Sequence, residues 1–206
     1  MFRLSSKILA ATSDIESTAE VYRRRAGTLL KIVPDGRDTL PTRTILKDRD
    51  AKPLVESLKR LGGHESLSHK SRIEIETVKD AEIVFADGEP LAIRRNGELI
   101  PVLVNHTTVD LLPTVVVDMG AVPHVVSGAD IMAPGIRRSK GDFLSGQLLV
   151  VVDEKHGKRL AIGKALLSST ELGNTKKGKV VENLHYVGDP VWESVKALSP
   201  ASSQQS

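Results

Sequence analysis

Two glycines bracket a short segment whose residue types suit a phosphodiester chain better than a covalent reaction. Gly120 and Gly128 stand at its two ends, and a small residue follows each of them, Ala121 and Ala129. Glycine lets another molecule approach the main chain closely, and free N–H groups at the start of a helix favour an anion. We therefore predict that residues 120–129 form part of an RNA-binding surface.

Basic side chains follow the second glycine, where they can contact phosphates. Such contacts position a nucleic acid without reading its sequence, although ordinary solvated charge is an equal alternative. His124 lies between the glycines and can donate to RNA, while a structural or solvent-facing role fits as well. The predicted RNA-binding residues are Gly120, Ala121, His124, Gly128, Ala129, Arg137, Arg138 and Lys140.

Two further basic clusters, in residues 155–164 and 176–179, are weaker candidates for RNA contact. Turns between strands are often rich in lysine because the charge keeps them soluble and protects sheet edges from pairing. Both interpretations stay open for these clusters.

The residues that catalysis or metal binding would need are missing or poorly spaced. The chain has no cysteine, which excludes disulfides, thiol catalysis and cysteine-ligated zinc. His64 and His69 have no third ligand at a regular spacing. Asp118 and Asp130 fit strand-end and turn acceptors better than a catalytic carboxylate pair. We expect a protein that is not an enzyme, with no catalytic residue, no metal and no cofactor.

Composition limits the classes of protein that the chain can belong to. It has 206 residues, of which 40% are hydrophobic, enough for a folded core. Aromatic residues make up only 3%, which argues against an RNA-recognition-motif sheet because that sheet needs exposed rings for stacking. The net charge of +3 is compatible with nucleic acid. No apolar run approaches a membrane span, so we expect a cytoplasmic protein that does not bind a membrane.

The first 44 residues read as an extension of the folded body. Ser13 and Glu16 have the spacing of a capping box, and apolar residues then recur at helical intervals. The pattern predicts a helix over 14–31 within an N-terminal extension, residues 1–44.

Residues 45–111 carry the signals of a small α+β domain. A short strand at 45–46 precedes an amphipathic helix over 51–61. Strands follow, the first of them a half-buried strand in which Ile73 and Ile75 alternate with glutamates. Asp87-Gly88 and Asn96-Gly97 are strong hairpin signals between the later strands.

Residues 112–194 form a mostly β region. A buried strand at 115–117 leads into a short helix over 121–127, and strands at 147–152 and 160–167 surround a basic hairpin. Short strands separated by turns indicate a small barrel. The predicted fold class is an α+β N-terminal domain followed by a mostly β pseudo-barrel, with a disordered tail over 195–206.

This order of a strand, a glycine-opened helix, a second glycine and a run of closing strands resembles the PUA domain, a pseudo-barrel RNA-binding module. The similar segments are VDMGA at 117–121, VSGADIMAPG at 126–135 and ENLHY at 182–186. They resemble the family of the malignant T-cell-amplified sequence protein, which includes ligatin and archaeal PUA proteins. Residues 87–101 are similar to the N-terminal domain of that family, and the chain looks like an archaeal member.

The resemblance implies RNA binding in a role linked to translation and the ribosome. The implied target is a tRNA acceptor end or small-subunit rRNA, and the implied protein partner has a domain like that of a start-codon-selecting initiation factor. One alternative is a tRNA-presenting subunit of an RNA-modification system, beside a transglycosylase or pseudouridine synthase. Another is a protein-interaction scaffold that docks through residues 45–111.

Overall fold

The computed structural model describes residues 43–198 continuously and three strands before them. These strands are β1 (Val21–Arg25), β2 (Thr28–Ile32) and β3 (Asp38–Thr39), which pair antiparallel in that order. The predicted helix over 14–31 is therefore wrong from Val21 onward, and its earlier part lies outside the described residues. Valine, tyrosine, threonine and isoleucine favour strands, and Gly27 would weaken a helix at its middle.

The N-terminal domain is a five-stranded antiparallel sheet with one long helix against a face. Its sheet has the order β4-β5-β6-β7-β8. Helix α1 packs its apolar side, including Leu54 and Leu58, against that sheet. The elements are β4 (Arg43–Ile45), α1 (Asp48–Leu61), β5 (Ile73–Val78), β6 (Ala81–Ala86), β7 (Glu89–Arg95), β8 (Glu98–Pro101) and the short helix α2 (His106–Val109).

Two of the three hairpins of this sheet turn where the sequence predicts. Asp87 and Asn96 have positive φ angles of 52° and 51°, and the glycines after them have φ angles of 91° and 80°. Two successive left-handed residues make the turn whose twist matches antiparallel strands. The turn residues therefore fix the register of β6, β7 and β8.

Strand β5 differs from its prediction because both of its faces are covered. Glu74 and Glu76 are 7% and 1% exposed, so the strand is buried on both sides. Its isoleucines face α1, whereas Glu76 accepts a hydrogen bond from Ser194 Oγ at 2.5 Å, far along the chain. The alternation of apolar and charged residues predicted that the glutamates face solvent. Such a local pattern does not reveal a partner as distant in sequence as Ser194.

The C-terminal region is a curled six-stranded sheet of order β10-β14-β13-β12-β9-β11. All neighbours are antiparallel except β9 and β12. The two edge strands follow each other directly in sequence, so the sheet bends round to bring its edges together. The elements are β9 (Thr114–Val117), α3 (Val122–Val125), β10 (Ile131–Met132), a 3-10 turn (Ala133–Gly135), β11 (Ile136–Lys140), β12 (Leu148–Asp153), β13 (Arg159–Ala165), α4 (Ser169–Asn174), β14 (Lys179–Tyr186) and α5 (Pro190–Leu198).

Helix α5 corrects the predicted start of the disordered tail at residue 195. Helix α5 continues to Leu198, and Val195 within it is only 1% exposed. Val191 and Val195 pack into the core below the N-terminal sheet, which is why the helix extends beyond residue 194. Residues 199–206 lie outside the described residues.

The two regions share one hydrophobic core. Phe85 and Ile93 from the N-terminal sheet pack in the same cluster as Val150 and Ile162 from the curled sheet. The curled sheet also encloses a second cluster of its own, around Leu149 and Val151. The curled sheet is thus packed on both faces.

Candidate nucleic-acid interface

A cavity of about 640 Å³ opens between α3, the 3-10 turn and the start of β14. Four of the predicted residues line it: Gly120, Ala121, His124 and Ala129. The other lining residues were not among the predicted RNA-binding residues, although Lys179 belongs to the weaker 176–179 cluster and reaches the cavity through the pairing of β10 with β14. These are Asp118, Val125, Asp130, Ile131, Met132, Pro134, Gly135 and Lys179.

The start of α3 differs from the prediction of free N–H groups. The Ala121 N–H donates to Asp118 Oδ1 at 2.8 Å, so a carboxylate already occupies this position. The helix itself covers only Val122–Val125. An anion at Ala121 would meet the negative charge of Asp118. The cavity therefore cannot rely on the helix start to attract phosphate.

Gly128 shapes the cavity wall without lining the cavity. Its φ angle is +90°, and a Cβ atom there would lie 2.8 Å from the Tyr186 Oη. The ring of Tyr186 thus packs against the side of Gly128 on which a Cβ atom would lie. Asn183 Nδ2 fixes the same turn by donating to the carbonyl oxygens of Val125 and Ala129, at 2.9 and 3.0 Å.

Two cations at the cavity are paired with carboxylates, of which Asp118 and Asp130 line it. Arg137 pairs with Asp118 at 3.4 Å and with Glu154 at 3.3 Å. Lys179 pairs with Asp130 at 3.1 Å. These ion pairs hold Arg137 beside the cavity. They also compensate part of its positive charge, so the arginine attracts a phosphate less strongly.

The carboxyl of Asp130 stays charged beside the cavity. Partial burial by itself raises its pKa, but the hydrogen bond from the Asn183 N–H and the neighbouring Lys179 outweigh this effect and lower the pKa overall. The pair with Lys179 is thus a charged pair at neutral pH. It gives this side of the cavity both an acceptor and a donor.

Arg138 and Lys140 lie on β11, the edge strand next to β9. Both side chains are exposed, and neither side chain has a hydrogen-bond or ion-pair partner within the described part of the chain. They pair in register with Val116 and Thr114, so they project from the outer face of the curled sheet. They do not line the cavity, and they lie on the strand that directly follows the 3-10 turn of the cavity wall.

The 155–164 cluster divides into bound and unbound cations. Arg159 contacts Asp110 and His106, and Lys164 donates to Glu98 at 2.7 Å, so both join the two domains. Lys155 and Lys158 are exposed at the hairpin tip. Two of the four lysine and arginine residues in this cluster therefore join the domains. The sequence did not show which two these are.

The histidines considered as metal ligands lie apart from this surface. His64 is buried with its Nε2 at 3.0 Å from Asn105 Nδ2 and 2.8 Å from Thr108 Oγ1, while His69 is exposed. Within residues 43–196, no three His, Asp or Glu side chains are grouped as a metal ion would require. Among the described helices, none is long and apolar enough to cross a membrane.

Comparison with known proteins matches the chain to two family models. The model of the PUA domain matches residues 113–187, and a domain of unknown function, DUF1947, matches residues 42–105. An uncharacterised protein of Methanocaldococcus jannaschii is 36% identical, over 73% of this chain and 94% of that protein. Translation machinery-associated protein 20 of Eremothecium gossypii is 35% identical, over 76% of this chain and 94% of that protein.

The chain belongs to the family of translation machinery-associated protein 20 and the malignant T-cell-amplified sequence proteins. A member of the second group, from Xenopus laevis, is 34% identical over 54% of this chain and 64% of its own length. The family resemblance carried by the glycine segments is thus confirmed.

A solved structure agrees with this family assignment. A hypothetical protein of the hyperthermophilic archaeon Pyrococcus horikoshii is 33% identical, with a TM-score of 0.61, and the match covers 75% of this chain and 99% of that one. The α+β domain followed by a mostly β PUA domain is the predicted fold class, and it is confirmed. In this family member, the cavity and the basic strand β11 both lie within the PUA match.

Proposed function

We propose that this protein binds structured RNA through its PUA domain and acts with the translation machinery. Membership of the family, with its translation machinery-associated relatives, supports this role. The observation that carries the proposal is the cavity at α3 with unneutralised cations beside it, in the segment that matches the PUA model. Such a surface can hold a nucleic acid by its phosphates while a nucleotide enters the cavity.

The shape of the surface favours an unpaired nucleotide next to a duplex. The cavity is lined mainly by apolar and small residues, including Val125, Met132 and Pro134, which can pack against a base. The charged residues that line it, Asp118, Asp130 and Lys179, are all in ion pairs. A tRNA acceptor end or a single-stranded part of small-subunit rRNA has this combination of bases and phosphates.

The proposal extends to how the protein works. It acts by binding in the cytoplasm, without catalysis, metal or cofactor, and its protein partner carries a domain like that of a start-codon-selecting initiation factor. The cavity charges support binding without catalysis, since Asp118 and Asp130 are each committed to an ion pair.

Ultraviolet crosslinking in cells, followed by sequencing of the bound RNA, tests this function. We expect crosslinks to tRNA 3′ ends or to small-subunit rRNA, together with cosedimentation of the protein with small ribosomal subunits. Crosslinks mapping to tRNA together with copurification of a modification enzyme instead of ribosomes would contradict the translation role. Absence of any RNA crosslink would contradict RNA binding itself.

A further inference from the structure

The turn between α4 and β14 concentrates positive charge without local compensation. Between Glu171 and Glu182 the chain has three lysines, Lys176, Lys177 and Lys179, and no acidic residue. Lys179 is paired with Asp130, whereas Lys176 and Lys177 are exposed and have no partner among the described residues. The positive charges of these two lysines are therefore not compensated by a neighbouring carboxylate of the described residues.

This lysine turn, residues 176–179, lies against the wall of the cavity. The Ala133 N–H donates to the Gly178 carbonyl oxygen at 2.9 Å, and Met132 is in register with Lys179. Ala133 begins the 3-10 turn, which contributes Pro134 and Gly135 to the cavity lining. The lysine turn is thus fixed to one end of the three residues that form this wall.

The opposite end of the same wall leads directly into β11, which carries the other pair of free cations. Arg138 and Lys140 follow the 3-10 turn after a few residues. One pair of unneutralised cations is therefore connected to each end of this wall, the lysine turn through Gly178 and the β11 pair through the chain itself. Only the fold connects both pairs to the same wall, since almost forty residues separate them in sequence.

We propose that the lysine turn and β11 together form one RNA-binding surface, the RNA track. A single RNA strand bound to this surface crosses the 3-10 turn and contacts cations on both sides of it. Phosphates on one side of the bound nucleotide contact Arg138 and Lys140. Phosphates on the other side contact Lys176 and Lys177, and the nucleotide between them packs against Met132 and Pro134. The proposal rests on RNA binding by the PUA domain and names single-stranded RNA flanking the cavity as the occupant.

Charge reversal on each side separately, measured with the full chain, tests the track. The probe is a fluorescein-labelled RNA hairpin with a single-stranded 3′ overhang, and the readout is anisotropy over a range of salt concentrations. The variants are Lys176→Glu with Lys177→Glu, and Arg138→Glu with Lys140→Glu. Lys52→Glu with Lys70→Glu is the matched control, because it makes the same charge change at exposed, unpartnered lysines of the N-terminal domain.

Each cavity-side variant should bind the probe about tenfold more weakly than the control variant. The slope of log affinity against log salt should fall by about 1.4 for each, the value for two lost contacts to a single strand. Shortening the overhang to bare duplex should remove the difference between the lysine-turn variant and the control.

The outcomes separate this proposal from the proposed function. A lysine-turn variant that binds like the control, while the β11 variant is weakened, overturns the track and leaves RNA binding intact. Equal loss in all three variants means a general charge effect and also overturns the track. A wild-type protein that does not bind the probe, nor RNA in cells, contradicts the proposed function first.

Discussion

A single aromatic ring explains why residue 128 is a glycine. The turn after α3 needs a φ angle of +90°, and the ring of Tyr186 packs where a Cβ atom would lie. The glycine was predicted to leave the main chain open to RNA, but a turn with a positive φ angle requires glycine as well. The structure favours the turn, because Tyr186 fills the open side.

Gly128→Ala should therefore lower the free energy of unfolding by about 2 kcal/mol or more, through strain at positive φ and the contact with Tyr186. Gly120→Ala is the matched control, because its φ is not positive and its Cβ would meet only Asp118 Oδ1 at 3.3 Å. Denaturant unfolding of both variants measures the difference. Equal stability of the two would contradict the role given to Tyr186.

The free cations of β11 give the residue-scale prediction for function. Arg138→Glu with Lys140→Glu should weaken RNA binding in a filter assay while the melting temperature changes by only a few degrees, since both side chains are exposed and unpartnered. Arg137→Glu should in contrast also lower the melting temperature, because it places a third negative charge beside Asp118 and Glu154. Unchanged RNA affinity in the double variant would exclude these two residues from the interface.

At the scale of elements, buried hydrogen bonds stabilise α2, which is too short to be stable by itself. Asn105 caps this four-residue helix by accepting from the Thr108 N–H at 3.4 Å, and its Nδ2 donates to the Leu91 carbonyl at 3.0 Å. Thr108 Oγ1 donates to the Gly62 carbonyl at 2.9 Å. His64 completes the network through its Nε2, which lies 3.0 Å from Asn105 Nδ2 and 2.8 Å from Thr108 Oγ1.

This network predicts a pH dependence of stability. Burial lowers the pKa of His64 below its ordinary value of 6.5, and the nearby Glu65 opposes this only in part. The unfolded chain therefore takes up a proton near pH 6.5 that the folded protein does not, so stability falls as the pH drops below that value, by at most about 1.4 kcal/mol per pH unit.

His64→Gln, which retains an acceptor, should reduce the loss of stability between pH 7 and pH 5 compared with the wild type. His69→Gln serves as the control, since His69 is exposed. Urea unfolding at several pH values measures the effect. The same pH dependence in both variants would show that His64 does not titrate in this way.

At the scale of the whole molecule, the two predicted domains are joined by a continuous core and by polar contacts. Ser194 on α5 donates to the buried Glu76 on β5, and Lys164 of the curled sheet donates to Glu98. Arg95 Nη1 donates to the Leu184 carbonyl at 2.9 Å. The boundary near residue 111 therefore separates the two sheets along the chain, but the hydrophobic core continues across it.

The shared core predicts that both domains unfold in one transition. The fluorescence of Trp192, the only tryptophan, reports on α5, and far-ultraviolet circular dichroism reports on the whole chain. The two signals should change at the same denaturant concentration. An earlier change of the tryptophan signal would mean that α5 separates before the sheets unfold.

Ser194→Ala should shift this common transition, lowering the free energy of unfolding by about 1–3 kcal/mol, because the buried Glu76 loses its hydroxyl donor. The exposed Ser66→Ala is the matched control. The same denaturation experiment measures both. A neutral Ser194→Ala would show that Arg43, at 3.4 Å from Glu76, is sufficient for that carboxylate.

Local residue chemistry accounts for most of what the sequence predicted correctly. Asp87-Gly88 and Asn96-Gly97 specify their turns through their own backbone preferences, and the apolar run at 115–117 specifies a buried strand. Strand β11 was not predicted because its residues are mostly polar. It forms as an edge strand, which needs only the backbone of β9 as a partner. Helix α4 was also missed, although Ser168 and Glu171 form the capping box that could have indicated it.

The sequence by itself determined the family, the order of the domains and the position of the glycine segment, because these depend on residues that are close together in the chain. Tertiary structure alone decided which cations are free. It placed Arg137 and Lys179 in ion pairs with Asp118 and Asp130, and it brought the lysine turn beside the cavity. The physical reason is that the charge available to a ligand depends on neighbours across the sheet, which no local pattern encodes.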